Sequence, residues 1–216
     1  MSVKMKKTTI YLVRHGQSIG NLKRLYLGHT DLDLSELGHR QAKMTADHLA
    51  DVNFSRIYSS DLKRAYNTAV PHAKMRGMDI IPSENLRELY LGDWEGRDVD
   101  ELIRDESELF IEGWQKKFGT FSIPNGEVVW QGGLRFASEV EKIAKAHVGE
   151  TVLITAHAAV IRVFWGIISG VKPEELADAI KFPSNASYSI AEYDGKRITP
   201  VKYSVDDHIT EKTSIT

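Results

Sequence analysis

No cysteine occurs anywhere in the 216 residues. That absence excludes disulfide scaffolds, zinc ribbons and cysteine nucleophiles together. Long apolar runs are missing too. The basic stretch Met1 to Lys7 is followed only by Ile10 to Val13 before Arg14, short of the roughly 7–15 apolar residues of a secretory h-region. Nothing approaches the ~18 apolar residues of a membrane span. Neither sign of charge dominates: 28 Lys and Arg against 30 Asp and Glu leave a net charge of −2. Such a balance supplies no basic field for nucleic acid or an anionic membrane, although a local basic pocket for a small anion stays compatible with it. What remains, 42% apolar and 27% charged residues, is the composition of an ordinary globular chain, and the expectation is a cytoplasmic protein.

Short β-branched runs alternate with helical patterns. Thr8 to Val13 reads as a buried parallel strand, followed by a helical pattern over Leu34 to Leu49. Arg56 to Ser60 is a second strand, and Ser60 or Asp61 is placed to cap a helix whose last part Pro71 disturbs. A brief third strand, Asp79 to Ile81, stops at Pro82. Residues 84–128 are irregular and rich in acids and aromatics, with short helices expected near Val99 to Arg104 and Glu108 to Lys117. A long helix over Trp130 to His147, a strand over Thr151 to Thr155 and a helix over Ala158 to Ile168 follow. Pro173 opens a further helix, and Asp194-Gly195 joins a closing hairpin. Strands alternating with helices predict an α/β fold, a mostly parallel sheet covered on both faces with an antiparallel edge. No repeat, low-complexity tract or linker divides the chain.

Chemistry-bearing residues fall just past three of these strands. Arg14-His15-Gly16 follows the first, Ser59, Ser60 and Arg64 follow the second, and Ala156-His157-Ala158 follows the Thr151 to Thr155 strand. In open α/β sheets ligands bind beyond the carboxyl ends of the strands. A lone strand-end histidine is in most proteins a satisfied, half-buried side chain, and Arg64 alone reads as a solvated helix charge. Two arginines and two histidines collected at one sheet edge are harder to dismiss.

These residues sit in longer motifs: Leu12-Val13-Arg14-His15-Gly16-Gln17-Ser18 with Asn21, Gly28-His29-Thr30-Asp31, and Ser59-Ser60-Asp61-Leu62-Lys63-Arg64-Ala65. Leu86-Arg87-Glu88, Gly92-Asp93-Trp94-Glu95-Gly96, Pro124-Asn125-Gly126-Glu127, Arg135 and His157 complete the order. On them the chain resembles the histidine phosphatase superfamily, which includes phosphoglycerate mutases and many small-molecule phosphatases. The resemblance implies a phosphoglycerate mutase-like, three-layer αβα sandwich: one domain over residues 1–216 with a helical cap-like insertion at about 97–127. It implies His15 as the nucleophile that forms a phosphohistidine. Arg14 and Arg64 would clamp the phosphoryl oxygens, with Asn21 and a protonated His157 as further donors. Glu88 would protonate the leaving oxygen and later take a proton from water, with Glu84, Asp93 and Glu95 as nearby rivals for that part. No metal and no cofactor are implied.

Four positions depart from the family pattern: Ala158 for a usual Gly, Gln17 for Glu, Asn67 for Gln and Val128 for Ser. The substrate motif of the family's mutases, with a Tyr, a Lys and paired Arg, is missing. Between Arg97 and Ile123 four basic residues face seven acids, a poor match for a bisphosphoglycerate if this segment covers the pocket. Phe110, Trp114 and Phe118 either pack on a ring-bearing leaving group or form the core stripe of a helix. The expectation is therefore a phosphoric monoester hydrolase of the histidine acid phosphatase type acting on a small phosphorylated metabolite, resembling the alpha-ribazole and broad-specificity phosphatases. A 2,3-bisphosphoglycerate-dependent mutase and an inactive phospho-ligand binding module are the alternatives. The expected partner is a small phosphate ester. Relatives form monomers, dimers and tetramers, so a homo-oligomer is among the assemblies the resemblance allows.

Overall fold

The structure, a computed structural model, describes residues 6–212. In chain order the strands are β1 (Thr8–Arg14), β2 (Arg56–Ser60), β3 (Ile80–Ser83), β4 (Thr151–Ala156), β5 (Tyr188–Tyr193) and β6 (Ile198–Val205). The α-helices are α1 (Ile19–Leu22), α2 (Glu36–His48), α3 (Lys63–Arg76), α4 (Val99–Asp105), α5 (Val129–Ala146), α6 (Ala158–Ile168) and α7 (Leu176–Ala179). The strands form one sheet in the order β3-β2-β4-β1-β5-β6. Pairing is parallel from β3 to β1 and antiparallel from β1 through β5 to β6. This is the α/β architecture expected from the sequence.

Side-chain alternation along the strands sets the layers. Ile10, Leu12, Val152 and Ile154 point into one core, closed by α5 and α6, while Val13 and Leu153 point into the other, closed by α2 and α3. The register Arg14 to Ala156 and Ser59 to Thr155 brings the carboxyl ends of β1, β4 and β2 side by side. That alignment positions the site.

Four local expectations are corrected. The third strand runs through Pro82 rather than stopping before it, because β3 is an edge strand paired only with β2. Helix α3 continues past Pro71 to Arg76, held on one side by its packing on α2. Its N-terminus is not capped by Asp61: Leu62 occupies the cap position, and Asp31 Oδ1, from a distant loop, accepts the Lys63 N–H at 2.7 Å. Asp61 is instead paired with Arg87. In the 97–127 segment, α4 forms as expected, but the second turn winds as a π-helix over Leu109–Gln115. Phe110, Trp114 and Phe118 are buried there in a cluster of rings with Trp94 and Phe121. Among the described residues no helix is long and apolar enough to cross a membrane.

Candidate active site

The first strand delivers Arg14 and His15 into a tightly built loop. The His15 N–H donates to Ala156 O at 3.0 Å, and the Gly16 N–H donates to the Thr68 hydroxyl at 3.1 Å. Helix α2 butts against this loop so closely that a Cβ on Gly16 would lie 2.4 Å from Gly38 O, and one on Gly38 would lie 2.0 Å from Gln17 O. Two glycines are therefore needed where the helix meets the loop that carries His15. Gln17 belongs to the same joint: its amide oxygen accepts from Ser35 Oγ at 2.7 Å and its N–H donates to Gln41.

The His15 ring is 5% exposed, and its Nδ1 donates to the Gly16 carbonyl at 2.7 Å. This bond fixes the tautomer and leaves the Nε2 lone pair free. Burial, Arg64 and Arg14 push the His15 pKa well below its usual value, so the ring is neutral at pH 7. His157, between β4 and α6, lies 5.3 Å from His15 between ring centroids. Both of its ring nitrogens are buried without a partner, and burial followed by Arg64 depresses its pKa as well. Burial and Arg64 thus favour a neutral His157 imidazole, whereas the protonated form is the one expected beside a phosphoryl dianion.

Arg64, in the first turn of α3, is buried and donates to Thr30 O at 3.0 Å and Gly28 O at 2.7 Å. The 28–30 loop is in turn gripped by Glu95, which accepts the His29 N–H and both the N–H and hydroxyl of Thr30. Arg14 donates to Pro183 O at 2.6 Å, while its Nε is buried and unpartnered. Burial lowers both guanidinium pKa values to about 10, which leaves both charged at neutral pH. Asn21 follows the Ser18 cap of α1; its Oδ1 accepts from Ser18 and Asn185, leaving the amide nitrogen as a donor.

Glu88 reaches the same place from the irregular segment after β3. Its carboxylate accepts N–H bonds from Ala159 at 3.0 Å and Val160 at 3.1 Å, in the first turn of α6, and from Leu89. Its rivals are occupied elsewhere: Glu95 with the 28–30 loop, Asp93 with Asn125, Glu84 with Arg87 at the surface. Arg135 steadies the segment around Glu88 by donating to the carbonyls of Asn85, Arg87 and Glu88, while Glu127 holds Arg135. His29 Nε2 also meets the Glu88 carbonyl at 2.9 Å. These supporting parts carried no assignment in the sequence. Asn185, which binds His15 O at 3.1 Å, gave no signal at all, lying 170 residues away in an irregular segment.

Arg14, His15, Asn21, Arg64 and Glu88 line one cavity of about 810 Å³. His157 lies behind its wall, next to Ala158 and Ala159, which line it. Ala158 is an ordinary helical residue, outside the positive-φ positions, so its methyl causes no strain. The 97–127 segment contributes a mainly apolar wall, Val99, Ile103, Phe110 and Trp114, with the Gln115 amide beside them. Phe110 and Trp114 are therefore both core and cavity wall. Neither the seven acids nor the four basic residues of this segment line the cavity, whose further cations, Arg24 and Lys212, come from other segments.

Residues 10–206 match the family described as Histidine phosphatase superfamily (branch 1). "Phosphoserine phosphatase 1" of Hydrogenobacter thermophilus is 32% identical over 206 residues, covering 94% of each chain. A "2,3-bisphosphoglycerate-dependent phosphoglycerate mutase" of Bartonella tribocorum is 34% identical over 175 residues, 78% of this chain and 84% of that one. Among solved structures, a mycobacterial glucosyl-3-phosphoglycerate phosphatase in complex with VO3 superposes with a TM-score of 0.84 at 26% identity, covering 91% of this chain and 98% of that one. The chain belongs to the histidine phosphatase superfamily, and within it to the phosphoric monoester hydrolases.

Proposed function

We propose that this protein is a metal-independent phosphomonoesterase that cleaves small phosphorylated metabolites through a phosphohistidine on His15. The observation that carries the reading is a pair of orphaned donors: the Arg14 Nε–H and the single N–H of a neutral His157 ring are buried without partners beside a neutral His15. Buried polar atoms without partners are costly, and the oxygens of one phosphoryl group would satisfy them together.

In the first step His15 Nε2 attacks phosphorus and the ester P–O bond breaks. Arg14, Arg64, Asn21 and His157 hold the non-bridging oxygens, and Glu88 gives the leaving oxygen its proton. In the second step water attacks the phosphohistidine, Glu88 accepts its proton, the N–P bond breaks and inorganic phosphate leaves. The 97–127 segment caps the cavity and packs its apolar wall on the leaving group. A mutase reading draws support from relatives named phosphoglycerate mutase, the Bartonella protein among them; the 97–127 segment offers no cation for a second phosphate or a carboxylate, and the further cations lining the cavity, Arg24 and Lys212, come from other segments.

Rapid acid-free quenching during turnover should trap an acid-labile phosphate that maps to His15, and His15→Ala should lose both the adduct and turnover. Substantial turnover by that variant refutes the covalent path. A panel containing phosphoserine, alpha-ribazole phosphate and 3-phosphoglycerate, followed by phosphate release and by a coupled mutase assay, separates hydrolysis from transfer. Mutase flux exceeding phosphate release would reject the phosphatase reading.

A further inference from the structure

Away from the nucleophile, His48 in the last turn of α2 and the pair Asp207-His208 just beyond β6 bring three ligand atoms within 4.8 Å of one another. The hydrogen bonds around His208 decide which of its nitrogens is free. Thr45 Oγ1 gives its own proton to a carbonyl, with Ala186 O at 2.8 Å. It can then only accept from His208 Nε2, which lies 3.0 Å away. Nε2 therefore carries the hydrogen, and Nδ1 presents a bare lone pair.

That Nδ1 is buried with no hydrogen-bond partner, on a side chain only 4% exposed. The nearest charged atom is Asp207 Oδ1 at 3.9 Å, another acceptor and too distant for a hydrogen bond. Two acceptors facing each other, with a second imidazole stacked 4.6 Å away, call for a shared cation. A ligating histidine characteristically donates its other N–H to a fixed acceptor, the part Thr45 plays here.

We propose that His48, Asp207 and His208 form a binding site for a borderline divalent transition metal such as zinc, which fastens the C-terminal segment to α2. Two imidazoles and a carboxylate suit zinc, whereas magnesium and calcium favour oxygen-only shells. Metal–nitrogen bonds of about 2.0–2.1 Å require the ligand atoms to close to about 3.3 Å. The exposed His48 supplies this movement by swinging out of its stack, while His208 stays held by Thr45. The consequence reaches the cavity because Asp206 and Ile209, on either side of the two ligands, and Lys212 beyond them line its wall. The segment is otherwise tied to α2 by Arg40 and Gln41, both bonded to Glu211. Because the ligands do not line the cavity, chelation leaves the phosphoryl-transfer chemistry in place.

The test is a calorimetric titration of the chelator-treated full chain with Zn²⁺, repeated with Co²⁺ to read coordination from its visible spectrum. One ion per chain is expected, with roughly tenfold or greater loss of affinity in His48→Ala, Asp207→Asn and His208→Gln. His48 and Asp207 are exposed, so their variants keep the test valid should His208→Gln fail to fold. Hydrogen exchange of residues 206–212 should slow on adding Zn²⁺ to the wild type and not to the variants. No binding, or undiminished binding in the His48 and Asp207 variants that places the ion on His15 and His157, overturns the site. Unchanged exchange in the metal-bound wild type overturns the fastening.

Discussion

Glu88 owes its position to a helix rather than to its own segment. Two α6 N–H groups take its oxygens, and the Arg135 guanidinium fixes the carbonyls on its backbone. Identity and family motif made Glu88 legible in the sequence, as they did His15 and Arg64. The partners that hold these residues were not, because each comes from a different element and the bonds depend on three-dimensional closure. If Glu88 protonates the leaving oxygen, its importance depends on how much that oxygen needs a proton. An alkoxide leaves poorly, so Glu88→Gln should slow phosphoenzyme formation from an alkyl phosphate by roughly 10²–10⁴-fold. Nitrophenolate is stable at neutral pH, and its ester should suffer clearly less. Glutamine also turns an N–H₂ toward the α6 donors, but misplacement from that cause would slow both esters alike. Single-turnover rates for the two substrates therefore separate acid catalysis from disturbed geometry, and equal losses would reject Glu88 as the acid.

Among the elements, strand and helix identity followed from periodicity, while their ends depended on tertiary partners. Pro82 was read as a stop because proline lacks an N–H, yet at the edge of the sheet β3 has a neighbour on one side only. The α3 cap was sought in Ser60 and Asp61, adjacent in sequence, and is supplied by Asp31, thirty-two residues earlier. Helix α5 shows the reverse case, in which a sequence oddity has a local cost. Val128 is its N-cap, with extended φ and ψ of −70° and 123°, 40% exposed and with no side-chain bond to the first turn. Serine at that position would accept an N–H that α5 leaves without an internal partner. Val128→Ser should raise unfolding stability by about 1 kcal/mol with kcat unchanged, as urea titration at neutral pH would show. A loss of stability would mean that the Val128 methyls contribute more to packing than the missing cap costs.

Across the whole molecule, three buried histidines share one electrostatic character. His15, His157 and His72 all have pKa values pushed down, in each case first by burial. His15 lines the cavity and His157 lies behind its wall, next to Ala158 and Ala159. His72 lies elsewhere, in the α3 layer against Phe54, with both ring nitrogens buried and unpartnered, and its pKa is lowered to about 3. The sign of its effect on stability follows from that depression. Above the unfolded-state value of about 6.5 the ring is neutral in both states and adds no pH dependence. As the pH falls below it, the unfolded chain takes up a proton that the folded chain refuses, so stability drops until the folded ring itself titrates near pH 3. Each such proton costs about 1.4 kcal/mol per pH unit. His72→Leu, of similar volume and without polar atoms, removes one of the three. Its urea-unfolding free energy should fall less steeply than that of the wild type between about pH 6 and 4, by about 1.4 kcal/mol per unit, with activity at pH 7 retained. Equal slopes would show that the wild-type ring is protonated inside the folded protein, and that the α3 layer admits water.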